Sequence, residues 1–138
     1  MLNLSVPWVL ACSLFLASFL IYFPYAVVAY GRFQAGFDIA APRALFDKLS
    51  PMAQRAAWAH QNSFETFSPF AAAVLVALVA GVTSTTAEIA AIAFVISRFF
   101  YSICYIANIP LGRSLMFGVG TAATITIFLE AINKLSPA

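Results

Sequence analysis

Two stretches of this chain set polar and charged side chains at helical intervals inside otherwise apolar sequence. In the first, Arg55 to Pro69, the residues Trp58, Gln61, Asn62 and Glu65 fall on one face of a helix that runs straight into the apolar segment 70–79. In the second, Arg98, Tyr101 and Tyr105 recur at i, i+3 and i+7 and make a polar stripe. Unpaired polar groups are costly in hydrocarbon, so such faces turn towards a neighbouring helix or a ligand. Counted from the outer ends of their helices, Glu65 lies roughly 24 Å deep and Arg98 roughly 18 Å, so the two can meet. A structural Glu65–Arg98 ion pair is one reading. Service of carboxylate and guanidinium to a charged ligand is the other, and spacing alone leaves both open.

The elements that carry these side chains belong in a bilayer. Of 138 residues, 63% are hydrophobic and only 9% charged, with a mean hydropathy of +0.94. An ordinary soluble domain is about a quarter charged. The sequence therefore reads as an all-α integral membrane protein, a multi-pass bundle of four transmembrane helices in one unit, residues 1–138. A net charge of +2 without a basic run does not suggest a nucleic-acid partner.

Approximate helix bounds are 7–30, 51–80, 86–108 and 113–135. The first eight residues hold no Lys or Arg, so a signal peptide is not expected and the first apolar run is retained. Pro24 is expected to kink that helix and Gly31 to end it, with Arg32 just beyond. Gly36 and Pro42 break the loop 31–50. Ser50-Pro51 reads as an N-cap and first helical residue. Helix 51–80 would reach roughly 45 Å against a bilayer core of about 30 Å, so its first turns project into water. Pro69 marks an expected bend. Thr85, Thr86, Ala87 and Glu88 read as a capping box, and Ser136-Pro137 closes the last helix.

Basic residues set an orientation. Arg32, Arg43, Lys48, Arg55 and Arg113 lie in or beside the first and third loops and only Lys134 opposite, so both termini are expected to be extracytoplasmic. His60 lies on a different face from Glu65 and reads as a packing or capping residue. One His and two separated Cys, Cys12 and Cys104, support neither a metal site nor a bridge. Ala71, Ala72, Ala73, Gly118, Gly120, Ala122 and Ala123 suit close helix contacts.

The run Arg55-Ala56-Ala57-Trp58-Ala59-His60-Gln61-Asn62-Ser63-Phe64-Glu65 with Pro69-Phe70 resembles the second-helix signature of the membrane-associated proteins in eicosanoid and glutathione metabolism, the MAPEG family. Arg98, Tyr101 and Tyr105 followed by Arg113 resemble its third- and fourth-helix signature, and the four-helix layout matches over nearly the whole chain. The resemblance implies homotrimers with glutathione bound between protomers as thiol cosubstrate. Arg32, Asn62, Glu65, Arg98, Tyr101 and Tyr105 match the glutathione-contacting positions, and Arg113 or Ser114 the position that activates the thiol. Trp58 and Gln61 depart from the pattern, standing where glutathione-using members commonly carry Arg, which implies weaker anion binding.

The chemistry is compatible. Glutathione offers two carboxylates, an ammonium and a thiol, so guanidiniums, the Glu65 carboxylate and a cation near the sulfur are the groups it needs. The expected function is a glutathione-dependent transferase or peroxidase acting on a lipophilic electrophile or hydroperoxide that enters from the bilayer. The first alternative is a catalytically inactive membrane interaction or scaffold protein. The second, a small transporter, ranks third because the first helix has no ionisable residue before Arg32.

Overall fold

The structure, a computed structural model, describes residues 5–136. Its helices are α1 (Val6–Leu20), α2 (Phe23–Gln34), a 3₁₀ helix (Pro42–Lys48), α3 (Pro51–Val79), α4 (Thr85–Ile106) and α5 (Pro110–Leu135). No strand occurs among the described residues. Length and composition make four membrane spans, with α1 and α2 together forming the first.

That first span differs from the expected kinked helix 7–30. It is two helices, and it continues four residues further. Pro24 in the first turn of α2 has no N–H for the preceding turn, and the amide of Tyr22 closes back on the carbonyl of Phe19 at 3.0 Å. At the break, the carbonyl of Ile21 is taken by Nδ1 of His60 on α3, at 2.7 Å. A carbonyl only accepts, so Nδ1 carries the proton. Tyr22, Tyr25 and Phe64 pack around the imidazole at 5.1–5.9 Å between centroids, edge-on or tilted. Gly31 does not end the helix either. It lies inside α2, where a Cβ would come within 2.6 Å of the Ala53 methyl, so its role is to let α2 and α3 approach. Arg32 consequently sits in the last turn of α2 rather than beyond it.

The Ser50 hydroxyl accepts from the amide of Ala53 and caps α3. With 29 residues, α3 is about 43 Å long. Pro69 lies inside it without ending it. Gly81 takes a positive φ of 71° in the turn to α4. There the cap is Ser84, whose hydroxyl accepts from Ala87. The helix starts at Thr85, so Glu88 falls one place too late for the expected capping box. Between α4 and α5 the chain reverses through Asn108, at φ 59°, and α5 begins at Pro110, a turn earlier than expected. Pro137 lies outside the described residues.

The core joins α1, α3, α4 and α5 around stacked rings of Phe70 and Phe94, 3.6 Å apart, with Leu10, Val74 and Ile127 fully buried beside them. Of the small residues expected at contacts, Ala73, Gly120 and Ala123 are buried, whereas Ala72, Gly118 and Ala122 turn outward on the same helices. Gly120 is the tight one, since a Cβ there would lie 3.0 Å from the Ser97 hydroxyl. A smaller cluster, Val28, Leu49, Ala53 and Ala56, ties α2 to the start of α3.

Candidate functional site

Asn62 stands between the two charges. Its Nδ2 donates to Glu65 Oε2 at 3.2 Å, and its Oδ1 accepts from Arg98 Nη2 at 3.0 Å. Gln61 Nε2 donates to the other Glu65 oxygen at 3.3 Å. Among the described residues no ion pair joins Glu65 to Arg98, which corrects the structural-pair reading. The amide, one helical turn from Glu65 on the same face of α3, is the group the guanidinium meets. Carboxylate and guanidinium are therefore held at the two ends of one amide, and each keeps hydrogen-bonding capacity that its neighbours do not use.

Arg98 is 4% exposed. Its guanidinium carbon lies 3.9 Å from the centroid of Tyr101, so the ring face offsets part of the cost of burying the charge. Tyr101 meets Tyr105 edge-on at 5.6 Å, and Arg113 lies over Tyr105 at 4.7 Å. A line of cation, two phenols and cation thus runs along the inner side of α4 to the first turn of α5. The tight turn makes this possible. Ile109 donates to the carbonyl of Cys104 at 2.8 Å, and Gly112 leaves room for the Cys104 sulfur, which a Cβ would approach to 2.9 Å. Ser114 is exposed and, one residue on, points about 100° away from Arg113 around the helix.

Three hollows meet along α3. One of about 400 Å³ lies between α3, α4 and α5, with Asn62, Glu65 and Arg98 at its polar end and Phe94, Phe117 and Phe128 along its apolar wall. A shallower one of about 230 Å³ shares Asn62 and Glu65 and adds Trp58, Gln61, Tyr101 and Tyr105. The third, about 460 Å³, lies on the adjoining flank between α2, the 3₁₀ helix and α3, and holds Arg32. The chain therefore brings together Asn62, Glu65, Arg98, Tyr101 and Tyr105, and adds Arg113 through Tyr105. It leaves Arg32 and Ser114 apart, because the ridge of Trp58 and Gln61 on α3 separates Arg32 from Arg98.

Other roles come only with the tertiary structure. Arg55 donates through Nε to the carbonyl of Ile106 at 3.0 Å and ties α3 to the C-terminal end of α4, a contact across 51 positions. Trp58 packs on Phe46, 5.8 Å between centroids, fastening the 3₁₀ helix to α3. Gln61 braces Glu65. The apolar wall from Phe117 to Phe128 has a sequence signal, since 117, 121, 124, 125 and 128 share one helical face.

No curated protein and no solved structure matches the chain. A family model does match, that of the MAPEG family, over residues 9–133 and hence all four spans. With the match covering nearly the whole sequence, the chain belongs to the MAPEG family.

Proposed function

We propose that the protein is a glutathione-dependent transferase or peroxidase acting, as a homotrimer, on a lipophilic electrophile or hydroperoxide drawn from the bilayer. The observation that carries this reading is the separation of Glu65 from Arg98 by Asn62 at the polar end of an apolar hollow. A neutralised pair would have little left for a ligand. A separated one offers an acceptor for the tripeptide's ammonium and a donor for a carboxylate. The apolar remainder of the hollow suits an acceptor that arrives through lipid.

Arg113 supplies the chemistry. A thiol of pKa about 8.5 is mostly protonated at neutral pH, and a guanidinium beside it favours the thiolate. The bound sulfur is then the nucleophile. It forms a bond to an electrophilic carbon as the leaving group departs, or takes an oxygen from a hydroperoxide and leaves the alcohol. The position of Arg32 supports a site shared between protomers, since an Arg32 supplied by a neighbouring protomer could reach a tripeptide that the protomer's own cannot. Trp58 and Gln61 are uncharged, so affinity is modest and falls with salt. Both termini are extracytoplasmic.

The test is glutathione titration of the detergent-solubilised protein, followed by calorimetry and by thiolate absorbance. Arg113→Leu should lose the thiolate signal and most turnover while binding stays within a few fold, because a shift of about two pKa units corresponds to roughly 2.7 kcal/mol. An unchanged signal would move the role to Ser114 or a tyrosine. Failure of the wild type to bind glutathione would overturn the enzyme reading in favour of a membrane scaffold.

A further inference from the structure

The C-terminal end of α4 is closed from outside the helix. Its last turn holds no basic residue, yet the carbonyls of Ile103, Cys104, Tyr105 and Ile106 all need donors there. The turn itself serves three of them. The amide of Ala107 donates to Ile103 at 2.9 Å, that of Ile109 to Cys104 at 2.8 Å and that of Asn108 to Tyr105 at 3.2 Å. The carbonyl of Ile106 accepts from Nε of Arg55 on α3, at 3.0 Å. A guanidinium in that place makes a charge-assisted hydrogen bond and sets a positive charge against the negative end of the helix dipole.

This same end aims Arg113. Asn108 leaves the helix at a φ of 59°, a conformation that favours glycine, so local preference alone does not hold the turn. From there the chain enters α5 at once. The amide of Arg113 donates to the carbonyl of Ile109 at 3.0 Å, and Gly112 beside it faces the Cys104 sulfur. Arg113 keeps its place over the Tyr105 ring, 4.7 Å from the centroid, only while the two helix ends keep this geometry. The residues proposed to bind the tripeptide are less dependent on it. Between positions 98 and 106 α4 rises about 12 Å, and at the far end of that distance Arg98 is fixed by Asn62.

We propose, resting on the glutathione reading, that Arg55 is a positioning residue for thiol activation. By clamping the last carbonyl of α4 it holds Arg113 where a guanidinium favours the thiolate, and it does so without touching the tripeptide. Arg55 is half-buried and its Nε is already committed to Ile106, which suits a clamp better than a ligand contact. The clamp also divides the labour between the two ends of α4: Arg98 serves binding, and the turn secured by Arg55 serves chemistry.

Arg55→Met keeps an unbranched apolar stem and removes the donor. In the detergent-solubilised protein the pKa of bound glutathione, followed by thiolate absorbance against pH, should rise by about one unit, which is about tenfold less thiolate below that pKa. Turnover should fall in step, while affinity by calorimetry stays within about twofold. Arg55→Lys still presents a cationic donor and should restore most of the signal. Asn108→Gly added to Arg55→Met should restore part of it, because glycine suits the φ of the turn and steadies it without the clamp. In the unliganded protein, amide exchange over residues 107–113 should quicken in Arg55→Met while exchange around Arg98 is unchanged. A thiolate titration unchanged in Arg55→Met would overturn the proposal. Loss of affinity that Asn108→Gly does not repair would also overturn it, by making Arg55 a ligand contact, and so would exchange that quickens equally around Arg98. If the wild type binds no glutathione, the enzyme reading falls separately, and equal exchange in wild type and Arg55→Met would refute the clamp itself.

Discussion

Asn62 holds two charges through one amide, and its removal exposes both to different fates. Glu65 is exposed and can turn to water or to Gln61, whereas Arg98 is buried and keeps only the Tyr101 ring. Asn62→Leu should therefore destabilise the protein by about 1–3 kcal/mol, the cost of a buried donor left unpaired. Glu65→Gln should cost less. In double-mutant cycles followed by thermal unfolding, Asn62 and Arg98 should couple more strongly than Glu65 and Arg98, and a larger Glu65–Arg98 term would contradict the geometry. The charged members of the site were legible in the sequence because polar side chains at helical intervals are conspicuous in a lipid-facing composition. Their pairing was not legible. Whether a guanidinium meets a carboxylate or an amide one turn away depends on the axial stagger of α3 against α4, and no local pattern encodes that.

At the scale of the element, helix lengths and types followed from apolar run lengths and from Pro and Gly. The ends were less legible where several residues could cap. Ser84, Thr85 and Thr86 all suit an N-cap, and the choice falls to Ser84 because Val82 is drawn into the core and sets where the turn ends. Ser84→Ala should cost about 1 kcal/mol of stability, while Thr85→Ala should be close to neutral. Comparable losses at the two positions, read by thermal unfolding, would put the cap back at Thr85. The first span was read as a single kinked helix for a related reason. Pro24 announces a disturbance, but the choice between a bend and a full break also depends on whether another helix can serve the carbonyl of Ile21, and His60 lies 39 residues away from it.

For the whole molecule, the asymmetry of its basic residues carries the orientation. Five of the seven Lys and Arg stand in or beside the first and third loops, and Lys134 lies at the other end. A cysteine introduced after Pro137, in a background without Cys12 and Cys104, should react with an impermeant thiol reagent in intact cells. Labelling that needs lysis would reverse the topology. The break in the first span has a further consequence, for biogenesis. A carbonyl without a donor is tolerated in water but costs several kcal/mol in hydrocarbon. The N-terminal span meets that condition at Ile21 until α3 has arrived beside it, because the donor belongs to the second span. Stable integration of the first hydrophobic segment should therefore await synthesis of the second. In glycosylation mapping of truncated chains, those ending before residue 50 should integrate poorly and those reaching residue 80 fully, with His60→Leu returning the longer chain towards the behaviour of the shorter. Full integration of the short chain would mean that the span is finished without its clasp.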